Sequence, residues 1–148
     1  AMQRAFELAR TAVDAGDAPY GTVLVHDEEI IMEERNEVRS SGDLATHPEL
    51  TIARRVAKEC DEETAADSTM VTSTEPCAMC AKGIADTSIA EVVYSVSCER
   101  NSELRGLDYP GIPAAEVFDR YGAAISVSGP VLPDAGADVI REGYDIEE

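Results

Sequence analysis

The chain has no tryptophan, two phenylalanines and two lysines, Lys58 and Lys82. A stacking partner for a flat ligand therefore has to come from a short list of aromatic residues, chiefly the five tyrosines. No apolar run approaches the ~18 residues that a membrane helix needs, so no membrane partner is expected. Arg4, Glu7, Arg10 and Asp14 interrupt the first fifteen residues, which excludes a signal-peptide pattern there. No internal repeat, low-complexity segment or cluster of Lys and Arg occurs.

What is abundant is negative charge. Thirty acidic residues against twelve basic ones give −18 with both histidines neutral. The acids come in short groups, such as Asp27-Glu28-Glu29 and Asp61-Glu62-Glu63, which read as a solvated surface. Self-repulsion at this density is costly in dilute buffer and screened by salt. The pattern resembles that of halophilic proteins adapted to a salt-rich cytoplasm. A specific cationic partner is the alternative, and nothing else in the chain supports one. At 148 residues the chain reads as a single domain, residues 1–148, large enough for a core. Its four cysteines could make two disulfides in a secreted protein, but Cys77 and Cys80 read better as metal ligands in a reducing, cytoplasmic setting. Cys60 and Cys98 read as small apolar core residues.

Periodicity predicts a helix from Met2 to Ala15, a hairpin of strands Thr22–His26 and Ile30–Glu33, and a loop from Asn36 to Ala45. A helix from Pro48 to Cys60 follows, then a strand Thr69–Ser73 running into Thr74-Glu75-Pro76. Pro76 is expected in the first turn of the next helix, which ends near Asp86. A strand Glu91–Val96, a loop Asn101–Pro113 with room for one helical turn, a helix Ala114–Tyr121, a strand Ile125–Val127 and a last helix Asp134–Gly143 complete the reading. Strands separated by helices give an α/β fold with helices on both faces of a mixed five-stranded sheet, a three-layer α/β/α arrangement. The last crossover is expected to be parallel.

Two short clusters carry the chemistry. His47-Pro48-Glu49 and Pro76-Cys77-Ala78-Met79-Cys80 both fall at predicted helix starts, and Cys77 follows Glu49 by 28 positions. Helix N-termini depress thiol pKa values. Cys77 and Cys80 lie one turn apart on one face, and His47 would add a third ligand. Two thiolates and an imidazole suit Zn2+, and three protein ligands leave a position open for water. Glu49, two residues after His47, can serve as a general acid and base. Other readings stand beside these. Thr46-x-x-Glu49 also matches a capping box. A C-x-x-C pair alone fits structural zinc or redox chemistry, and a closed zinc site would need Cys60, Cys98 or His26 as fourth ligand. His26 is expected to be exposed at the hairpin turn.

The two clusters together resemble the signature of the zinc-dependent cytidine-deaminase-like superfamily, H-x-E followed by P-C-x-x-C. The likeness extends through Pro19-Tyr20-Gly21-Thr22-Val23-Leu24-Val25, Asn36 and Thr46-His47-Pro48-Glu49 to Thr74-Glu75-Pro76-Cys77-Ala78-Met79-Cys80, roughly residues 1 to 100. It is most similar to the branch of guanine deaminases, fungal-type cytosine deaminases and tRNA adenosine deaminases. Pro48 departs from the alanine usual between His and Glu. The resemblance implies a cytidine-deaminase-like fold and hydrolytic deamination of a nucleobase by zinc hydroxide, with Glu49 as proton shuttle and ammonia as product. It implies that Asn36 hydrogen-bonds the base and that a C-terminal aromatic, here Tyr144, closes the pocket. It also implies a homodimer or higher oligomer. The tRNA editors of the branch hold RNA on basic surfaces, whereas this tail ends Tyr144-Asp145-Ile146-Glu147-Glu148. A free nucleobase or nucleoside is therefore expected ahead of tRNA, guanine first and cytosine second. A tRNA adenosine deaminase and a non-catalytic, zinc-stabilised interaction domain are the alternatives.

Overall fold

A computed structural model describes residues 1–147. Helix α1 (Met2–Asp14) buries Met2, Ala5, Phe6, Leu8, Ala9 and Ala12, the stripe its spacing predicts. Strands β1 (Gly21–His26) and β2 (Glu29–Arg35) form the expected hairpin. Its two-residue turn, Asp27-Glu28, has φ of 50° and 65°, the twist that a tight hairpin requires. Helices α2 (Val38–Ser41), α3 (Pro48–Glu59) and α4 (Glu62–Ala66) precede strand β3 (Ser68–Thr74). Then come α5 (Ala78–Ala85), β4 (Glu91–Val96), α6 (Cys98–Arg105), α7 (Ala114–Arg120), β5 (Ser126–Ser128) and α8 (Pro133–Tyr144).

The sheet is mixed and five-stranded, in the order β2-β1-β3-β4-β5. β1 pairs antiparallel with β2 and β3, while β3–β4 and β4–β5 are parallel. Alternate residues feed two cores, one on each face. On one, Leu24, Met70 and Val92 meet Ile52 and Val56 of α3, Ile84 of α5 and Phe118 of α7. On the other, Val23 and Val71 meet Phe6 of α1 and Val139 of α8. This is the three-layer α/β/α architecture expected. Among the described residues no helix is long and apolar enough to cross a membrane.

Three local expectations are corrected. The segment read as loop from Asn36 to Ala45 contains α2, whose four residues are too few to show a period. The segment read from Asn101 as a loop with one helical turn holds the Asn101–Arg105 part of α6, which starts earlier, at Cys98. That helix buries only Ser102, so it has no apolar stripe to detect. Its marks are instead a Ser97 hydroxyl accepting the Arg100 N–H and Gly106 at φ 68° as its stop. Pro76 lies outside α5, because Cys77 has extended backbone and is itself the N-cap.

Candidate active site

Helices α3 and α5 pack side by side and start at the same end of the sheet. Gly83 faces Leu50 at their contact, and a Cβ there would press on the mobile end of the Leu50 side chain, 2.5 Å from Cδ1. His47 is the N-cap of α3, Cys77 is the N-cap of α5, and Cys80 lies in the first turn of α5. Both helix N-termini therefore direct partial positive charge at one point.

The His47 Nδ1 atom lies 3.6 Å from Cys77 Sγ and 3.4 Å from Cys80 Sγ. Zinc bonds of ~2.0 Å to nitrogen and ~2.3 Å to sulfur at a tetrahedral angle would set such atoms ~3.5 Å apart, so the donor set fits zinc. The three ligand atoms lie within 4.8 Å of one another, and among the described residues no further His, Cys, Asp or Glu joins the group. That is an open three-ligand site, not the closed one that a purely structural zinc needs. Cys60 packs against the α3–α5–α7 core as expected. Cys98 belongs to neither core; its thiol, pushed up to about 11 first by burial, packs near Gly111. His26 is half-buried rather than exposed, and stands between Asp27 and Asp67.

The electrostatics follow from proximity. Hydrogen bonds from Cys80 and His47 hold the Cys77 thiol down to about 4. The same thiolate raises the imidazole of His47, and with burial it drives Cys80 far up. Glu49 is buried at 6% exposure. Its carboxyl is pushed up to about 7, first by burial and then by the neighbouring Cys77 charge. The capping-box reading is overturned: Thr46 donates to the Asp43 carbonyl at 2.6 Å, and Glu49 instead accepts from the Thr22 hydroxyl at 3.2 Å.

Above these groups lies a cavity of about 590 Å3, lined by Asn36, His47, Glu49, Cys77 and Tyr144 among others. Five of the six residues singled out from the sequence thus share one cavity wall or floor, and the sixth, Cys80, lies buried directly behind. Asn36 is 4% exposed, and its Oδ1 accepts the Val38 N–H at 3.0 Å. Its amide N–H groups have no partner among the described residues, so Asn36 offers the cavity donors more than acceptors. Tyr144 reaches the wall because Gly143 lets α8 lie against Pro19, where a Cβ would collide with the Pro19 ring. The Tyr144 hydroxyl is 2.9 Å from that of Tyr20, whose own hydroxyl also donates to Asn101 Oδ1 at 3.2 Å. One face of the Tyr144 ring carries Arg105, 4.7 Å from its centroid.

Sequence reasoning assigned no role to Tyr20, Thr22, Glu75, Asn101 or the two arginines of the cavity, Arg39 and Arg105. Glu75 stood in plain view within the motif. It is buried, and its two carboxylate oxygens accept from the backbone N–H groups of Cys98 at 2.9 Å and Ala114 at 2.7 Å. It thus ties the starts of α6 and α7 to the strand that delivers Cys77.

The chain belongs to the family described as cytidine and deoxycytidylate deaminase zinc-binding region, which matches residues 1–96. It is a zinc-dependent deaminase domain. The chain is 30% identical over 145 residues to a tRNA(Ile)-lysidine synthase of Deinococcus radiodurans, covering 97% of this chain and 24% of that protein. It is 26% identical over 143 residues to tRNA-specific adenosine deaminase 2 of Xenopus tropicalis, covering 93% of this chain and 74% of the relative. It is 40% identical over 80 residues to the guanine deaminase of Bacillus subtilis, covering 53% and 51%. The chain therefore spans from a quarter to three-quarters of these relatives' lengths. The guanine deaminase structure from Nitrosomonas europaea matches with a TM-score of 0.80 at 23% identity, over 97% of this chain and 82% of that one, a likeness of fold.

Proposed function

We propose that this domain hydrolytically removes the exocyclic amine from a nucleobase ring and releases ammonia, with guanine favoured and cytosine next. The observation that carries the reading is a buried carboxylate, Glu49, beside a three-ligand zinc site on the floor of a cavity. When bound by His47, Cys77 and Cys80, zinc supplies the Lewis acidity that makes water a nucleophile near neutral pH.

The protein's own residues do the rest. Glu49 accepts one proton of the attacking water and passes it to a ring nitrogen, then takes the second from the oxygen now bonded to the ring carbon and gives it to the amine, which leaves as ammonia as the carbonyl forms. A carboxyl held near neutrality can both take and return a proton, which is the requirement of that shuttle. Asn36, with its oxygen engaged by Val38, presents N–H donors to the base edge. Guanine and cytosine offer a carbonyl oxygen and ring nitrogens to accept them, and adenine offers ring nitrogens alone, so Asn36 orients a base edge in each case. Tyr144 and Tyr20, which line the same cavity, supply aromatic wall for the base.

A second reading, action on adenosine in tRNA, is favoured by the extent of the match to the Xenopus tRNA-specific deaminase. Against it stand the charge of −18 and the lack of a Lys/Arg cluster. The experiment is a panel of guanine, cytosine, adenine, their nucleosides and a tRNA transcript, each assayed for ammonia in molar salt. Release from guanine or cytosine supports the first reading. Release from tRNA alone supports the second.

A further inference from the structure

The buried hydroxyls of the sheet are almost all engaged. Thr22 donates to Glu49, and Thr72 stands between the Thr22 hydroxyl and the Thr74 carbonyl. Ser68 donates to the Thr64 carbonyl at 2.6 Å, and Ser95 to the Leu132 carbonyl at 3.0 Å. Ser73 accepts the Gly21 N–H at 3.1 Å. Thr74 is the exception. The residue is 6% exposed, and among the described residues its Oγ1 is the one buried side-chain oxygen or nitrogen without a partner.

Its place gives that exception a meaning. Thr74 is the last residue of β3, and it borders the cavity that Glu49 and Asn36 also border. Side chains alternate along a strand, so Thr74 shares the sheet face of Thr72, whose hydroxyl leads through Thr22 to Glu49. The unpaired oxygen therefore lies on the side of the sheet that carries the metal ligands and the proton carrier.

Burying a hydroxyl without a hydrogen bond is unfavourable, and a valine would fill nearly the same space with no polar group to satisfy. Bulk water does not meet the need, because Oγ1 is closed to solvent, and no protein group meets it either. The cavity that Thr74 borders is the remaining source of a partner. A turn about χ1, from one staggered well to the next, exchanges the hydroxyl with the methyl group and re-aims the oxygen with the backbone in place. A hydroxyl both donates and accepts, so it suits the ring nitrogens and the carbonyl oxygen of a base edge alike.

We infer that Thr74 is a substrate-binding residue, whose hydroxyl turns into the cavity and hydrogen-bonds the polar edge of the base on which Glu49 acts. The free chain then holds an unpaired hydroxyl, and the bound base relieves it. This rests on the deaminase reading for the nature of the ligand and adds a contact to that site. Removing the hydroxyl should move stability and affinity in opposite directions, which a purely structural role does not do.

Equilibrium binding of guanine, cytosine and their nucleosides is measured on the zinc-loaded Glu49→Ala chain, alone and combined with Thr74→Val or Thr74→Ser. Thr74→Val is expected to weaken binding of the preferred ligand about tenfold, and Thr74→Ser to stay within about threefold of the parent. Denaturant unfolding without ligand is expected to show Thr74→Val at least as stable as the parent. Unchanged affinity in Thr74→Val would overturn the inference, and with lowered stability it would assign the hydroxyl to a trapped water. Equal losses of affinity in Thr74→Val and Thr74→Ser, or no binding of any of the four ligands to the parent, would overturn it too. Ammonia release from the same ligands is measured with the unaltered chain. Hydroxyl-dependent binding with no ammonia from any ligand would overturn the deaminase reading and leave the Thr74 contact standing. Ammonia release with hydroxyl-independent binding would do the reverse.

Discussion

The Thr22 hydroxyl donates to Glu49 Oε1 at 3.2 Å, joining the first strand of the hairpin to the first turn of the helix that carries His47. Thr22 and Thr72 are register partners on neighbouring strands, and their hydroxyls lie 2.9 Å apart. The Thr72 hydroxyl also lies 3.0 Å from the Thr74 carbonyl, and its one proton serves either that oxygen or Thr22, whose own proton goes to Glu49. Donated to Thr22, it completes a relay that holds the carboxylate from the sheet side. A hydrogen bond to a charged group contributes about 1.5–3 kcal/mol. We expect Thr22→Val to lower kcat by roughly tenfold with little change in KM. Steady-state kinetics on the preferred base checks this, and an unchanged kcat would mean that Thr22 does not orient the proton carrier.

Glu49 has to be ionised to accept a proton from water. Its carboxyl is pushed up to about 7 by burial and by the Cys77 charge, and a dication beside it acts in the opposite sense. The rate should therefore rise with pH through an acid limb lying no higher than about 7 and level off above it. A profile of kcat/KM across that range measures the limb. A limb well above 7 would assign the titration to another group.

Metal content should be one zinc per chain. Cys77→Ala and Cys80→Ala should each lose it, while Cys60→Ala, outside the ligand group, should keep it. Zinc competes with protons for both thiols, and the Cys80 thiol is held protonated first by its hydrogen bond to Cys77 and then by burial. Zinc affinity should therefore fall as pH drops, as read by a chromophoric chelator, and chelation should lower Tm. Retention of zinc by either cysteine variant would refute the ligand assignment.

Glu75 joins three parts of the chain through one buried and one part-buried hydrogen bond. Glu75→Ala leaves the N–H groups of Cys98 and Ala114 without their acceptor. The expected cost is about 3 kcal/mol, with Glu75→Gln milder because one acceptor remains. Denaturant unfolding of both variants measures it. Wild-type stability in Glu75→Ala would mean that the tie is dispensable.

The sequence carried some of this plainly. The stripe on α1, the alternation that feeds the two cores and the hairpin turn at Asp27-Glu28 all announce themselves by period or by turn chemistry. The grouping of the candidate metal ligands with Glu49 was legible because their spacing is short and each cluster opens a helix. Helix α6 was not, since Cys98–Arg105 has no apolar face and only its cap residues mark it. The Tyr20–Tyr144 pair and the lone hydroxyl of Thr74 were invisible for another reason. The two tyrosines are 124 positions apart, and only the packing of α8 on Pro19 brings them together. An unpaired hydroxyl, likewise, becomes conspicuous only once the partners of the other strand hydroxyls are known.

The central claim, that Glu49 carries protons for a hydrolytic deamination on this zinc site, is tested most directly by ammonia release from guanine and cytosine. The unaltered chain and Glu49→Ala are compared at equal zinc content in molar salt, where a chain of charge −18 is best screened. We expect turnover by the unaltered chain and a loss of about a hundredfold or more in Glu49→Ala. Equal rates in the two proteins would contradict it.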